Sequence, residues 1–139
     1  MDPERVRTRG LQYEEILGGT LAGYGLRFEK RSRNQIGAGH ANIVVSKNEY
    51  VEGLLFKLSD EYQIEKMDPF EGVPVHYARD TICVESQVGM ILAWTYFANS
   101  AVIGKNLKPP RWYLNHLLAG RLYLSPGYMK QLEQIDCLD

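Results

Sequence analysis

The chain has 139 residues, of which 45% are apolar, and 16 Lys and Arg residues against 17 Asp and Glu give a net charge of -1. This balanced charge gives no reason to expect a nucleic-acid partner. The uncharged apolar run at residues 90–98 is far shorter than the roughly 20 residues of a membrane-spanning helix, so we expect no membrane association.

The two cysteines, Cys83 and Cys137, are too few for a disulfide scaffold, and their spacing does not suit a metal site. We therefore expect two reduced thiols in a soluble cytoplasmic protein. No leader-like segment, internal repeat or low-complexity linker divides the sequence, so residues 1–139 are predicted to form a single domain.

The first predicted element is a short helix with both of its ends marked in the sequence. Asp2 suits the N-cap, Pro3 suits the first helical position, and Gly10 suits a left-handed C-terminal stop. A helix so well specified at the second residue is unusual, because a preceding segment normally fixes how the chain enters it.

Strands are predicted through the middle of the chain and helices towards its end. Ser59 is expected to cap a short helix over Asp60–Met67 that Pro69 ends, Pro109 and Pro110 open a helix reaching about Leu122, and Ser125 caps a last helix. This order favours an α+β fold, with a mixed, largely antiparallel sheet that is curled or closed into a small barrel. The predicted strands are Leu21–Glu29, Ala41–Val45, Val51–Leu58, Tyr77–Val84 and Met90–Phe97, the last two forming a hairpin.

The segment around Glu71 holds the strongest candidate for acid-base chemistry. Pro69 ends the preceding helix, Gly72 permits a sharp turn, and Phe70 and Val73 flank the carboxylate. A carboxyl group in apolar surroundings has a raised pKa, which suits proton exchange near neutral pH. The alternative is a glutamate in a solvated loop, which is common and which this spacing does not exclude.

Three tyrosines are candidates for a binding role. Tyr77, Tyr96 and Tyr113 stand at a strand start, a strand end and a helix start, which can converge at one rim of a sheet. Their hydroxyls could orient a carboxylate or a polar substrate there, although each alone is as readily a packing residue. The turn at Gly37–Gly39 could bind an anion through its backbone amides. His40, His76 and His116 have no metal-ligand spacing, so no metal is expected.

Several segments, taken in their order along the chain, resemble the gamma-glutamylcyclotransferase-like family. Residues 67–73 (MDPFEGV) are similar to the family's Leu-Asp-x-x-Glu-Gly-Val, and residues 37–43 (GAGHANI) to its Gly-Gly-x-Ala-Thr-Ile strand entry. Residues 110–113 (PRWY) are similar to a Pro-Ser-x-x-Tyr element. Further similar segments are residues 2–6, 51–58, 95–96 and 119–128.

The resemblance implies that a γ-glutamyl amide is cyclised to 5-oxoproline with release of an amine or an amino acid. It implies Glu71 as the base that takes a proton from the substrate's α-amine and later gives one to the leaving nitrogen. It implies Tyr77, Tyr96 and Tyr113 as substrate-binding residues, and neither a metal nor an organic cofactor. Gly39 is added to the substrate-binding residues because of the backbone amides of its turn. The expected partner is therefore a small γ-glutamyl substrate.

The resemblance has one departure, at the start of the chain. Family members begin with a strand that ends in a Tyr-Gly-Ser-Asn-Leu/Met turn, and Met1 aligns with the last residue of that turn. We expect either a natural protein longer by about one strand or a shortened relative that binds without turnover. The second alternative is a non-catalytic binding or interaction module on the same fold. An unpaired strand edge left by the missing strand also predicts a homodimer.

Overall fold

The computed structural model describes all residues, Met1–Asp139, as one curled antiparallel sheet of four strands with short helices around it. The order of the strands across the sheet is β2-β1-β3-β4. The elements are α1 (Pro3–Thr8), β1 (Tyr13–Arg31), β2 (Gly39–Leu58), α2 (Asp68–Glu71), β3 (Tyr77–Ser86), β4 (Gly89–Ala98), α3 (Arg111–Leu118) and α4 (Pro126–Glu133), with 3₁₀ turns at Gln63–Lys66, Ser100–Val102 and Arg121–Tyr123.

The first helix, α1, has the ends that the sequence predicts. The Asp2 carboxylate accepts hydrogen bonds from the amides of Glu4 and Arg5, at 3.0 and 3.4 Å. Gly10 follows the helix with φ +85°, a conformation that a side chain disfavours. These two ends fix the helix in place beside the sheet.

Strands β1 and β2 form one long ribbon, whereas the sequence predicted three shorter strands. The prediction of a break between Ala41–Val45 and Val51–Leu58 was wrong, because β2 is continuous from Gly39 to Leu58. The intervening polar residues form a bulge in the ladder: Ala22 pairs with Tyr50 and Tyr24 with Val45. The polar segment therefore projects midway along the ribbon, where pairing continues on both sides of it, and does not end the strand.

The segment between β2 and β3 differs from its prediction. Ser59 caps no helix, and instead its amide donates to the carbonyl of Gln12. The helix predicted for Asp60–Met67 is reduced to the 3₁₀ turn Gln63–Lys66. Pro69 lies in the first turn of α2, where its missing N–H has no partner to lose. The sequence therefore identified the proline correctly as a boundary but placed it at the wrong end of a helix.

Strands β3 and β4 form the predicted hairpin, and the sheet curls without closing. β1 and β3 pair only at Gly19–Ser86 and Thr20–Glu85, then diverge. All paired strands are antiparallel, and β2 and β4 are the two edges, so the closed barrel given as an alternative was wrong. An apolar cavity of about 240 Å³ lies within the curl, between the β1–β2 ribbon and the β3–β4 hairpin.

Side chains join the ribbon and the hairpin at the end opposite their shared ladder. The Tyr77 hydroxyl donates to the carbonyl of Ala41 at 2.8 Å. The buried amide of Asn42 accepts from the Ala98 amide and donates to Glu29, both at 2.9 Å. These bonds hold the start of β3 and the end of β4 against β2.

A homodimer remains a prediction, and the structure identifies the edges concerned. Beyond Gly19 and Thr20, β1 has no ladder partner on β3, so backbone donors and acceptors on both strands lack a strand neighbour there. Such edges favour pairing with another chain. We expect multi-angle light scattering at high protein concentration to give twice the mass of the 15.9 kDa chain. A monomer under these conditions would contradict the prediction.

The terminal helices close the base of the curl. Ser125 caps α4 by accepting from the Tyr128 amide, as predicted, and Leu124, Tyr128 and Leu132 are buried against the sheet and α3. The helix opened by the two prolines ends at Leu118, before the predicted Leu122. None of the helices has the length and apolar character needed to cross a membrane.

Candidate active site

A polar cavity of about 310 Å³ opens where the first helix, the sheet and α2 meet. Its size is at the lower end of the range typical of sites for small molecules. Glu71, Tyr77 and Tyr113 line it, together with His40 and residues of α1. Three of the site residues predicted from the sequence therefore line the same cavity.

Glu71 reaches this cavity because of the turn that follows it. It is the last residue of α2, and Gly72 ends the helix in the left-handed conformation, with φ +65°. A Cβ at Gly72 would come within 2.8 Å of the His76 ring, so a side chain is excluded by space as well as by φ. The tight stop keeps the Glu71 side chain, which is 26% exposed, on the cavity wall.

The charge on Glu71 is balanced between burial and nearby cations. Burial raises the pKa of the carboxyl above its ordinary value, while the positive charges of Arg9, Arg5, the Met1 amine and Lys30 act in the opposite direction. The nearest cation is Arg9, whose Nη1 lies 3.5 Å from Glu71 Oε1. The net direction is upwards, which brings the carboxyl closer to the pKa that an acid-base catalyst needs.

Replacing Arg9 by Met is expected to shift the acid limb of the pH–rate profile to higher pH. A base must be ionised, so activity falls as pH drops through the Glu71 pKa, and removing the Arg9 charge raises that pKa further. The measurement is kcat/KM against pH with one γ-glutamyl amide, the substrate class that the resemblance implies, so that the titration of the substrate itself is the same for all variants. Arg7→Met is the matched control, since Arg7 packs over Tyr13 outside the cavity. An unmoved limb in Arg9→Met would contradict the assignment.

Tyr77 and Tyr113 bracket the backbone of Ala41 with opposite hydrogen-bonding roles. The Tyr77 hydroxyl donates to the Ala41 carbonyl, whereas the Tyr113 hydroxyl accepts from the Ala41 amide at 3.0 Å. Burial raises the pKa of both phenols, that of Tyr113 to about 12, so both keep their protons at neutral pH. No acceptor for the Tyr113 proton lies within hydrogen-bond distance, which leaves that O–H available to a bound molecule.

A stacked histidine supports the Tyr113 ring. The rings of His40 and Tyr113 are parallel to within 5°, with centroids 4.4 Å apart. Burial, reinforced by the charges of Lys30 and Arg5, lowers the His40 pKa to about 4, so this imidazole is neutral at physiological pH. His40 therefore acts as a flat, uncharged support that fixes the orientation of the phenol.

Tyr96 lies behind the cavity wall and is not among the lining residues. Its hydroxyl donates to Asp68 Oδ1 at 2.7 Å, and Arg79 Nε lies 3.2 Å from the same oxygen. Asp68 is the first residue of α2, so these contacts hold the short helix that carries Glu71. Tyr96 therefore contacts the helix that carries Glu71 and does not line the cavity itself.

Gly39 is also outside the cavity lining. Its amide donates to the carbonyl of Lys108 at 2.9 Å and is therefore not free to bind an anion. A Cβ at this position would lie 2.1 Å from the Phe28 carbonyl oxygen and 2.8 Å from Leu107 Cβ. The requirement for glycine at position 39 is thus explained by close packing of the backbone.

Asp2 and His116, which also line the cavity, are joined by a hydrogen bond. His116 Nδ1 lies 2.7 Å from Asp2 Oδ2, the same carboxylate that caps α1. Burial acts to raise the pKa of Asp2, but the hydrogen bond from His116 and the helix amides outweigh it, and the pKa is lowered. The pair ties α3 to the start of α1.

A family model described as gamma-glutamyl cyclotransferase, AIG2-like, matches residues 6–115. The chain belongs to this family. The match includes Glu71, Tyr77 and Tyr113, and it excludes α4 and the residues before Val6. No curated protein matches the chain in a sequence search.

The fold of this family member is similar to that of several solved structures. A structure titled gamma-glutamyl cyclotransferase has a TM-score of 0.83 at 20% identity, over 99% of this chain and 83% of that one. An uncharacterized human protein has the same TM-score at 21% identity, over 98% and 82%. YkqA from Bacillus subtilis has a TM-score of 0.82 at 19% identity, over 98% of this chain and 52% of its own. These similarities extend over almost all of the present chain.

Sequence reasoning missed the cations that line the cavity of this cyclotransferase-like chain. Arg5 and Arg9 are four residues apart, on one face of α1, and this spacing was the signal that could have identified them as a pair. Lys30 continues the alternation of Leu26 and Phe28, and that alternation predicts an inward-facing lysine. The signal that could have identified Lys30 as a cavity residue is its position in register with the apolar face of the strand.

Proposed function

We propose that this protein cyclises γ-glutamyl amides, releasing the amine or amino acid and forming 5-oxoproline. The observation that carries the proposal is the Glu71 carboxyl, with its raised pKa, on the wall of a cavity of substrate size. Membership of the family supports the same chemistry. The proposal needs neither a metal nor an organic cofactor.

The reaction requires one new bond and one broken bond. The substrate's α-amine attacks the γ-carbonyl carbon, closing a five-membered ring, and the bond from that carbon to the leaving nitrogen then breaks. Because the attack is intramolecular, the main task is to hold the glutamyl chain in a bent conformation. A cavity of about 310 Å³ is large enough to enclose the glutamyl group.

Glu71 supplies the proton transfers in this scheme. The substrate's α-amine is mostly protonated at neutral pH, with a reference pKa of about 8, and becomes nucleophilic only when it loses a proton. The Glu71 carboxylate takes that proton and delivers it to the leaving nitrogen. The ring nitrogen still carries one extra proton after the attack, and Glu71 passes that proton in turn to the departing amine, which leaves as an ammonium ion while the carboxylate is restored. Its elevated pKa supports both steps, because an exposed glutamate, near 4.3, would be a weak base.

Tyr113 and the cations stabilise the negative charge of the bound molecule. The free O–H of Tyr113 is a donor suited to the oxygen of the γ-carbonyl as it gains charge during attack. The positive charges of Arg5, Lys30 and Arg33 on the cavity wall suit a substrate that carries a carboxylate. Tyr77, with its proton committed to Ala41, contributes an aromatic surface to the wall.

The proposal is tested by incubating the protein with γ-glutamyl-alanine and with γ-glutamyl-ε-lysine, and measuring 5-oxoproline by chromatography. We expect 5-oxoproline to appear together with stoichiometric alanine or lysine. Binding of either compound with no 5-oxoproline would favour the non-catalytic binding module instead. Release of glutamate in place of 5-oxoproline would indicate hydrolysis and would contradict ring closure.

A further inference from the structure

Lys30 is a buried cation with no carboxylate in direct contact. The residue is 5% exposed, near the end of β1, and lines the polar cavity. No carboxylate oxygen lies within 4.0 Å of its ammonium group, in contrast to Arg9, which pairs with Glu71. A buried charge normally requires a partner, because removal from water is costly.

The other cations of the cavity are either solvated or already paired with a carboxylate. Arg33 is exposed and Arg5 is half-buried, so water can solvate part of their charge. The two carboxylates on the lining, Asp2 and Glu71, are already paired with His116 and Arg9. Within this cavity, Lys30 is therefore the cation whose surroundings most clearly require an anion from outside the chain.

The surroundings of Lys30 also position its ammonium group. The Nζ atom lies 5.7 Å from the centroid of the Tyr77 ring, at cation–π distance. A bulge in the β1–β2 ladder, between Arg27 and Lys30, immediately precedes it. The Lys30 backbone is held by pairing with His40 and by a bridge to Ile103. The Lys30 backbone is thus held from two sides, and its ammonium group lies over an aromatic ring.

We propose that Lys30 binds the α-carboxylate of the glutamyl group and makes a free carboxylate a requirement of the site. This inference rests on the proposed function. In a glutamyl group the α-carboxylate and the α-amine share one carbon, so anchoring the first at Lys30 restricts where the second can lie relative to Glu71. The carboxylate takes no part in ring closure and remains on 5-oxoproline. Lys30 therefore binds substrate and product by the same contact.

Binding of 5-oxoproline tests this role without turnover. Calorimetric titration compares 5-oxoproline with 5-oxoprolinamide, in which an uncharged carboxamide replaces the carboxylate. We expect the wild-type protein to bind 5-oxoproline about 10- to 100-fold more tightly, the range for a hydrogen bond to a charged group. Lys30→Met is expected to remove this preference and Lys30→Arg to retain part of it. Lys47→Met, at an exposed lysine of β2 away from the cavity, is the matched control and should keep the full preference.

A preference that persists in Lys30→Met, or a wild-type protein that shows none, would overturn the assignment. Thermal unfolding of each variant shows whether it is folded. If Lys30→Met does not fold, the binding preference of Lys30→Arg decides the test. Turnover of γ-glutamyl-alanine is measured in parallel, where Lys30→Met is expected to raise KM more than it lowers kcat. If the wild type makes no 5-oxoproline but its binding preference depends on Lys30, the proposed function fails and the carboxylate site stands.

Discussion

Replacing Glu71 by Gln is expected to lower the rate of 5-oxoproline formation by about 10²- to 10⁴-fold, the range for loss of a general acid-base group. Glutamine has nearly the same shape but cannot accept the ammonium proton, so the α-amine stays protonated and the attack on the γ-carbonyl is blocked. The measurement is kcat/KM for γ-glutamyl-alanine at neutral pH. The loss should persist at saturating substrate, because the missing step is a proton transfer.

The fold of Glu71→Gln should remain intact. The contact with Arg9 is a single 3.5 Å ion pair at a partly exposed position, and such pairs contribute about 0–1 kcal/mol to the free energy of unfolding. Glu65→Gln is the matched control, since Glu65 is an exposed residue of the neighbouring 3₁₀ turn. Normal turnover by Glu71→Gln in the presence of a working wild-type enzyme would show that another group is the base.

Replacing Gly39 by Ala is expected to destabilise the protein by about 3 kcal/mol, at the upper end of the cost of overpacking. The added methyl group would lie 2.1 Å from the Phe28 carbonyl oxygen, which belongs to backbone and cannot rotate away. For a domain of this size the unfolding temperature should fall by roughly 10 °C. The measurement is thermal unfolding followed by circular dichroism.

Gly127→Ala provides the matched control for Gly39→Ala. Nothing lies within 4 Å of a Cβ at Gly127, which is in the first turn of α4, so the unfolding temperature should be unchanged or slightly higher. Comparing the two variants shows whether Gly39 is needed for backbone packing or for substrate binding. A Gly39→Ala protein with wild-type stability but impaired substrate binding would instead support the substrate-binding role predicted for Gly39 from the backbone amides of its turn.

Three of the predicted helix ends were predictable because their causes are local. Asp2, Gly10 and Ser125 act on backbone groups within a few residues, so their sequence context was sufficient to identify the caps. The continuity of β2 through its polar segment was not predictable in this way. Its pairing with β1 across a bulge is a contact between residues far apart in the chain, and this pairing outweighs the low strand propensity of the polar segment.

The candidate site was predictable only in part for a similar reason. The motif around Glu71 and the positions of Tyr77 and Tyr113 pointed to residues that share one cavity. Sequence alone could not separate Tyr96 from these two, since a tyrosine at the end of a strand can face either the cavity or the element behind it. Its contact with Asp68 depends on where the short α2 helix packs.

The short pairing between β1 and β3, compared with the long β1–β2 and β3–β4 pairings, affects how a bound molecule changes the protein's stability. Lys30 and Tyr113 belong to the β1–β2 side, whereas Glu71 and Tyr77 belong to the β3–β4 side, and the two sides share only two ladder pairs. A ligand that contacts both sides would link the β1–β2 ribbon to the β3–β4 hairpin. Its binding free energy would then add to the free energy needed to separate the two locally, and amide hydrogen exchange at the start of β3 would become slower.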